Sequence, residues 1–235
     1  MVSVTHNIKL TYRIALFLAA LALYIYNPAS ISFSAGEKRH FILVVIWPIY
    51  VADMVLSFFP INFESIGCQK QFAENFSPKA QLKEPKSQKQ KRDKSAAMVA
   101  IAWIIFNAAI GALYFFKLID EGILLLISLV FSFCDMICIM FFCPFQLWFM
   151  KNKCCVTCRI YNWGYAMMFT PLIFIKSLYT WSLVALSLGV LLKWEITYRR
   201  HPQRFSETTN DSLSCANCED KLCRHKKSLW QLLKR

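Results

Sequence analysis

The chain has 235 residues, 57% hydrophobic and 15% aromatic, with 17% charged and a net charge of +13. Soluble proteins carry about 25% charged residues, and the apolar residues here cluster in long runs, which excludes a soluble domain and predicts an all-α integral membrane protein. The surplus of Lys and Arg lies in loops and tails flanking those runs, so the expected partners are the lipid bilayer and its anionic headgroups, with no nucleic acid.

Lys9 and Arg13 precede an apolar run at 14–26, as in a signal peptide. No clean small-x-small cleavage site follows, since Phe33 stands three positions before the cut after Ala35, so the run reads as a retained first span. Segment one covers 14–33, segment two 41–59, segment three 96–116 and segment four 122–142. Each has the roughly 20 residues needed to cross about 30 Å of hydrocarbon at 1.5 Å per residue. The first two fall in 1–59 and the next two in 96–142. Between them, 60–95 is a basic cytoplasmic loop whose Lys-, Gln- and Ser-rich second half predicts flexibility.

A cysteine-rich loop at 143–164 leads to an apolar stretch at 165–196, too long for one ordinary span and short for two. The charge distribution bears on how it crosses. The N-terminal tail holds two Lys/Arg, the 60–95 loop eight, the 143–159 loop three and the tail after Ile196 nine. The two other connections hold Lys38, Arg39 and Lys117. A single crossing, the five-span alternative, divides these almost evenly between the two sides and leaves no positive-inside bias. A helical hairpin puts 22 on one side and three on the other. The expected architecture is therefore four transmembrane helices plus a C-terminal helical hairpin, re-entrant or short-spanning. Lys176, Tyr179, Thr180 and Trp181 form its apex, Pro171 loosens the first arm, and a basic, cysteine-rich tail follows at 197–235. Both termini are expected on the cytoplasmic side.

That topology gathers eight of the ten cysteines on one face: Cys68, Cys143, Cys154, Cys155, Cys158, Cys215, Cys218 and Cys223. In a reducing compartment clustered cysteines favour metal over disulfides. Cys215-Ala-Asn-Cys218 supplies two ligands on one turn, with Cys223 five residues later. Cys154-Cys155-x-x-Cys158 supplies two or three more, and Cys143 before Pro144 and Cys68 after Gly67 sit where the backbone is free to aim a thiol. Four thiolates suit zinc or an Fe–S cluster. Cys215–Cys218 also suits thiol redox chemistry, with Lys221, Arg224 and Lys226 nearby to stabilise a thiolate. Juxtamembrane cysteines are also targets for lipidation. Cys134 and Cys138, inside segment four, read as small apolar packing residues.

Asp53 and Asp135 fall at similar depth in segments two and four. An ionisable group there faces a cavity or a partner. Asn107 in segment three is a candidate hydrogen-bond partner, and Lys176 a candidate counter-charge. An ion path and a plain hydrogen-bonded helix contact both fit these residues, and the helix contact is the more economical. A path would require a homo-oligomer or a membrane partner, since no inverted repeat is visible. At 226–235, Leu229, Leu232 and Leu233 share one face of a basic amphipathic helix suited to a headgroup surface. The four histidines lie outside the spans, and no phosphate loop or Gly-x-Ser-x-Gly elbow announces an enzyme.

Several pieces stand together: Gly67-Cys-Gln-Lys-Gln-Phe72, Cys143-Pro-Phe145, Cys154-Cys-x-x-Cys-Arg-Ile-Tyr-Asn-Trp163, Met167-Met-Phe-Thr-Pro171 and the tail Cys-x-x-Cys-x-x-x-x-Cys. Over roughly Phe63 to Cys223 they resemble a group of small, uncharacterised bacterial cysteine-rich membrane proteins. That group has no known activity, so the resemblance implies a bacterial inner-membrane location and no mechanism. Three functions follow as expectations. They are a membrane protein with a cytoplasmic zinc or Fe–S site, structural or electron-carrying; a small transport or channel component using Asp53 and Asp135; and a membrane thiol oxidoreductase.

Overall fold

The computed structural model describes residues 4–28, 31, 41–60, 69–79, 85–151, 154–214 and 216. Cys68, Cys215, Cys218, Cys223 and the amphipathic 226–235 segment lie outside these residues. All regular elements among the described residues are helices: α1 (Val4–Tyr26), α2 (Phe41–Leu56), α3 (Lys86–Phe115), α4 (Glu121–Met140), α5 (Gly164–Phe169) and α6 (Leu178–Arg200), with short 3₁₀ and π pieces between them. Three of them, α1, α3 and α4, are long and apolar enough to cross a membrane, and α2 is a shorter apolar helix.

Helix α4 is central. Asp120 caps its first turn by accepting the Ile123 N–H at 2.8 Å and also takes the Tyr24 hydroxyl at 2.8 Å. Its buried face (Leu124, Leu125, Leu129, Met136) packs against α1 and α5. The bundle exterior is apolar, with Leu18, Ile101, Ile104, Ile105 and Leu192 exposed. That is the reverse of a water-facing surface, where large apolar patches are rare.

Helix α1 begins ten residues before the expected 14–33 segment and stops before Asn27-Pro28, so Lys9 and Arg13 are helical and point inward. Helix α3 begins at Lys86, where Pro85 sets an extended approach, rather than at 96. Residues 86–95, expected in the loop, are its first turns. They are held by long-range polar partners that composition does not disclose: Asp93 accepts the Tyr198 hydroxyl at 2.8 Å, and Arg92 donates to the Phe205 carbonyl at 3.1 Å. Burial pushes the Tyr198 phenol up to about 12, so it remains a donor.

Helix α3 ends in a Schellman motif. The Lys117 N–H reaches the Tyr114 carbonyl at 2.9 Å and the Leu118 N–H reaches Leu113 at 3.0 Å. Lys117 holds the left-handed position, φ 58°, that glycine ordinarily fills. The left-handed conformation costs a side-chain-bearing residue about 1 kcal/mol, so Lys117→Gly is expected to stabilise the protein by about that amount in a denaturant or thermal midpoint.

The stretch 165–196 folds as a hairpin with unequal arms. The first runs through a 3₁₀ turn (Tyr161–Trp163), α5 and a second 3₁₀ turn (Thr170–Phe174). After an extended break at Ile175–Ser177, α6 returns for 23 residues, four beyond Ile196. Trp163 Nε1 donates to Glu195 at 2.7 Å at the open end, while Thr180 Oγ1 donates to the Ile175 carbonyl at 3.0 Å at the apex. Lys176 is exposed at that apex. The apex meets the far end of α3, where the Phe174 ring lies over Gly111 so closely that a Cβ there would come within 2.4 Å of it.

Both ends of the hairpin thus return to the end of the bundle that holds Asp53, Asp135 and Cys143. A polar layer covers this end. Asn210, fully buried, donates to the Lys70 carbonyl at 3.1 Å and the Arg204 carbonyl at 2.9 Å and accepts the Ser212 N–H at 3.1 Å. Gln71 donates to the Val156 carbonyl at 3.1 Å and accepts from Asn162 at 2.6 Å. Segments 69–79 and 201–214, expected as loop and tail, are the two sides of this cover.

Candidate functional site

Two features meet at Asp135. The first is a buried charge network. Arg13, 2% exposed, lies between Asp53 and Asp135. Its Nη2 is 3.2 Å from Asp53 Oδ2, and its Nη1 is 3.1 Å from Asp135 Oδ2 and 2.9 Å from the Ser132 carbonyl. Lys9, one helical turn before Arg13, is 2.7 Å from Asp53 Oδ1, and Tyr12 donates to Asp53 Oδ2 at 3.3 Å. Two cations thus face two carboxylates, which is how buried charge is tolerated.

The expected depth match of Asp53 and Asp135 thus corresponds to a shared partner. The partner differs from the expected ones. Asn107 donates back to the Trp103 carbonyl at 2.9 Å on its own helix, and Lys176 sits at the opposite end of the bundle. The signal for Arg13 and Lys9 was their i, i+4 spacing at the head of an apolar run, which places both on one face.

The second feature is a cavity of about 140 Å³ lined by five thiols: Cys134 and Cys138 from α4, Cys143 from the turn that follows, and Cys155 and Cys158 from the next loop. Its remaining wall is largely apolar and soft, with Trp103, Phe131, Phe145, Met167 and Met168. Cys143-Pro144 ends α4 and opens a π-helix (Phe145–Met150), closed by Lys151 in the left-handed region at φ 49°. That irregular turn points Cys143 back at α4. Cys138, on the last turns of α4, and Cys143, just past its end, line the same cavity. The Gln146 N–H donates to Cys143 Sγ at 3.4 Å, and the Cys155 thiol donates to Gln146 Oε1 at 3.0 Å.

Cys134 and Cys138, read as packing residues, therefore line the cavity, four residues apart on one face of α4. Cys154, expected as a ligand, is not part of the wall. Six of the ten cysteines lie among the described residues: Cys134, Cys138, Cys143, Cys154, Cys155 and Cys158. The described residues do not assemble a four-thiolate zinc or iron–sulfur centre at Cys143, Cys154, Cys155 and Cys158: no three Cys, His or carboxylate side chains among them stand where they could share one ion. Cys155 is turned toward Gln146, which accounts for part of this.

Asp135 belongs to both features. It lines the thiol cavity and also a smaller cavity of about 60 Å³ beside Lys9 and Arg13. Gly164 allows this, because a Cβ there would lie 2.9 Å from Asp135 Oδ1. Compared with family models, curated proteins and solved structures, the chain matches none.

Proposed function

We propose that this chain is an integral membrane protein that binds a thiophilic metal ion in its thiol-lined cavity, at the cytoplasmic end of the bundle. The observation that carries the reading is the convergence of Cys134, Cys138, Cys143, Cys155 and Cys158, from three separate segments, on one cavity. Cysteines used as small apolar filler would be dispersed through the core. Here three of the five come from irregular backbone, where aiming a thiol is easier than burying one.

Membrane residence is supported by three helices of spanning length and by the apolar exterior. Orientation is supported by charge. The end with the cavity carries Lys9, Arg13, Lys151, Arg159, Arg199 and Arg200, and the other end carries Lys117 and Lys176. Cytoplasmic ends attract Lys and Arg, and this one would face anionic headgroups. The transport reading is less favoured, since both carboxylates it needs are engaged by Arg13 and Lys9.

Two measurements test the proposal. Alkaline phosphatase fused after Lys117 is expected to be active, and a fluorescent protein fused after Arg235 to fluoresce; phosphatase activity at the second site instead would invert the topology. Protein purified anaerobically in detergent and offered thiophilic metals is expected to retain about one ion per chain. That ion should be lost in Cys138→Ser/Cys143→Ser and kept in Cys154→Ala. Retention in the double variant would remove the cavity from the site.

A further inference from the structure

Resting on the metal-binding reading, we propose that the ion is a soft monovalent one of the Cu(I) class, held between the sulfurs of Cys138 and Cys143. Coordination number comes first. Zinc and iron–sulfur centres require four donors each. Among the described residues no three suitable Cys, His, Asp or Glu side chains stand together, whereas Cys138 and Cys143 come from either side of the bend that ends α4 and line the same cavity. Cu(I) is satisfied by two sulfurs in a line, or by three. The cavity adds softer donors, the thioethers of Met167 and Met168, which favour Cu(I) over harder ions.

Charge comes second. The walls are mostly apolar, so a net charge is costly there. Two of the hard oxygen donors that line the cavity are engaged elsewhere: Asp135 Oδ2 by Arg13 at 3.1 Å and Gln146 Oε1 by the Cys155 thiol at 3.0 Å. One thiolate and one neutral sulfur around a monovalent cation make a neutral site. Cys143 is the better-placed thiolate, because its sulfur already receives the Gln146 N–H. Binding converts one S–H to S–Cu(I) and releases one proton to solvent. The copper stays Cu(I), and no electron moves.

The test is titration of the reduced, full-length protein in detergent with Cu(I), under competition from a coloured Cu(I) chelator, with Ag(I) and Zn(II) in parallel. One equivalent of Cu(I) is expected, with affinity rising about tenfold per pH unit for the one proton released. Cys138→Ser/Cys143→Ser is expected to lose at least a hundredfold in affinity, and Met167→Leu/Met168→Leu up to tenfold. Should the cysteine variant fail to fold, alkylation of the wild type decides. Bound Ag(I) is expected to protect Cys138 and Cys143 from a maleimide and to leave Cys154 reactive; protection of a different set overturns the assignment. Stoichiometric Zn(II) through the same cysteines, with Cu(I) lost to the chelator, overturns the Cu(I) inference and leaves the metal-binding reading standing. No retention of any of the three metals overturns both.

Discussion

Arg13→Met is expected to destabilise the protein by about 3 kcal/mol, because it leaves the buried Asp53 and the half-buried Asp135 without their common partner. The figure lies at the low end of the range for breaking a buried pair, for two reasons visible in the geometry. Asp53 keeps Lys9 at 2.7 Å, and the Asp135 side chain is 25% exposed and so partly solvated. The measurement is a thermal or denaturant midpoint in detergent, with size-exclusion profiles alongside. Arg13→Met/Asp135→Asn removes one charge of each sign and leaves the Lys9–Asp53 pair intact, so it is expected to recover more than half of the loss. A single variant as stable as the parent would mean that the network makes no net contribution. A double variant no better than the single one would place the loss in packing of the guanidinium rather than in its charge.

Arg159→Ala is expected to cost about 2 kcal/mol and, beyond that, to expose the thiols. Arg159 makes a bidentate pair with Glu195, lies 3.4 Å from Asp93 and stacks 3.8 Å above the Tyr198 ring. Charged hydrogen bonds and a partly desolvated cation–π contact each contribute on the order of 1–2 kcal/mol, discounted here because Glu195 and Asp93 remain partly exposed. The residue ties the loop bearing Cys155 and Cys158 to the start of α3 and the end of α6. Loosening it is expected to speed maleimide labelling of Cys155 and Cys158 severalfold while Cys134 is unaffected. Arg159→Lys is expected to behave like alanine in labelling, since a lysine cannot reproduce the fork or the stack. Unchanged labelling in both variants would detach this latch from the thiol cavity.

Much of the helical architecture was legible because apolar length is a long-range average. The 96–116 and 122–142 segments lie within a few residues of the apolar part of α3 and of α4, and 165–196, too long for one ordinary span and short for two, is divided at Ile175–Ser177. The parts that were not legible depend on single distant partners. Residues 86–95 have a composition suited to a flexible loop, yet Tyr198 and Arg159 hold Asp93 from more than sixty positions away. Arg13 was weighed as a topological charge, though a carboxylate in each of two other helices was waiting for a cation. Cys134 and Cys138 were set aside because they lie in an apolar run, where a thiol that packs and a thiol that lines a cavity have the same local sequence. Only the irregular turn at Cys143-Pro144, which bends the chain back onto α4, distinguishes them.

The cover built on Asn210 bears on how the protein is made. Asn210 closes onto the Lys70 carbonyl, 140 positions earlier in the chain. At the usual 5–20 residues per second, a ribosome needs on the order of ten seconds to travel that distance. Until then segment 69–79 holds its bonds to residues 156 and 162 without the buried amide that joins it to 201–214. The first half of the cover must wait in place for the second, so the cover is completed only after residue 210 has been made. A chain cut short before residue 210 would lack the buried amide that joins the two halves of the cover, leaving segment 69–79 the more open to proteases.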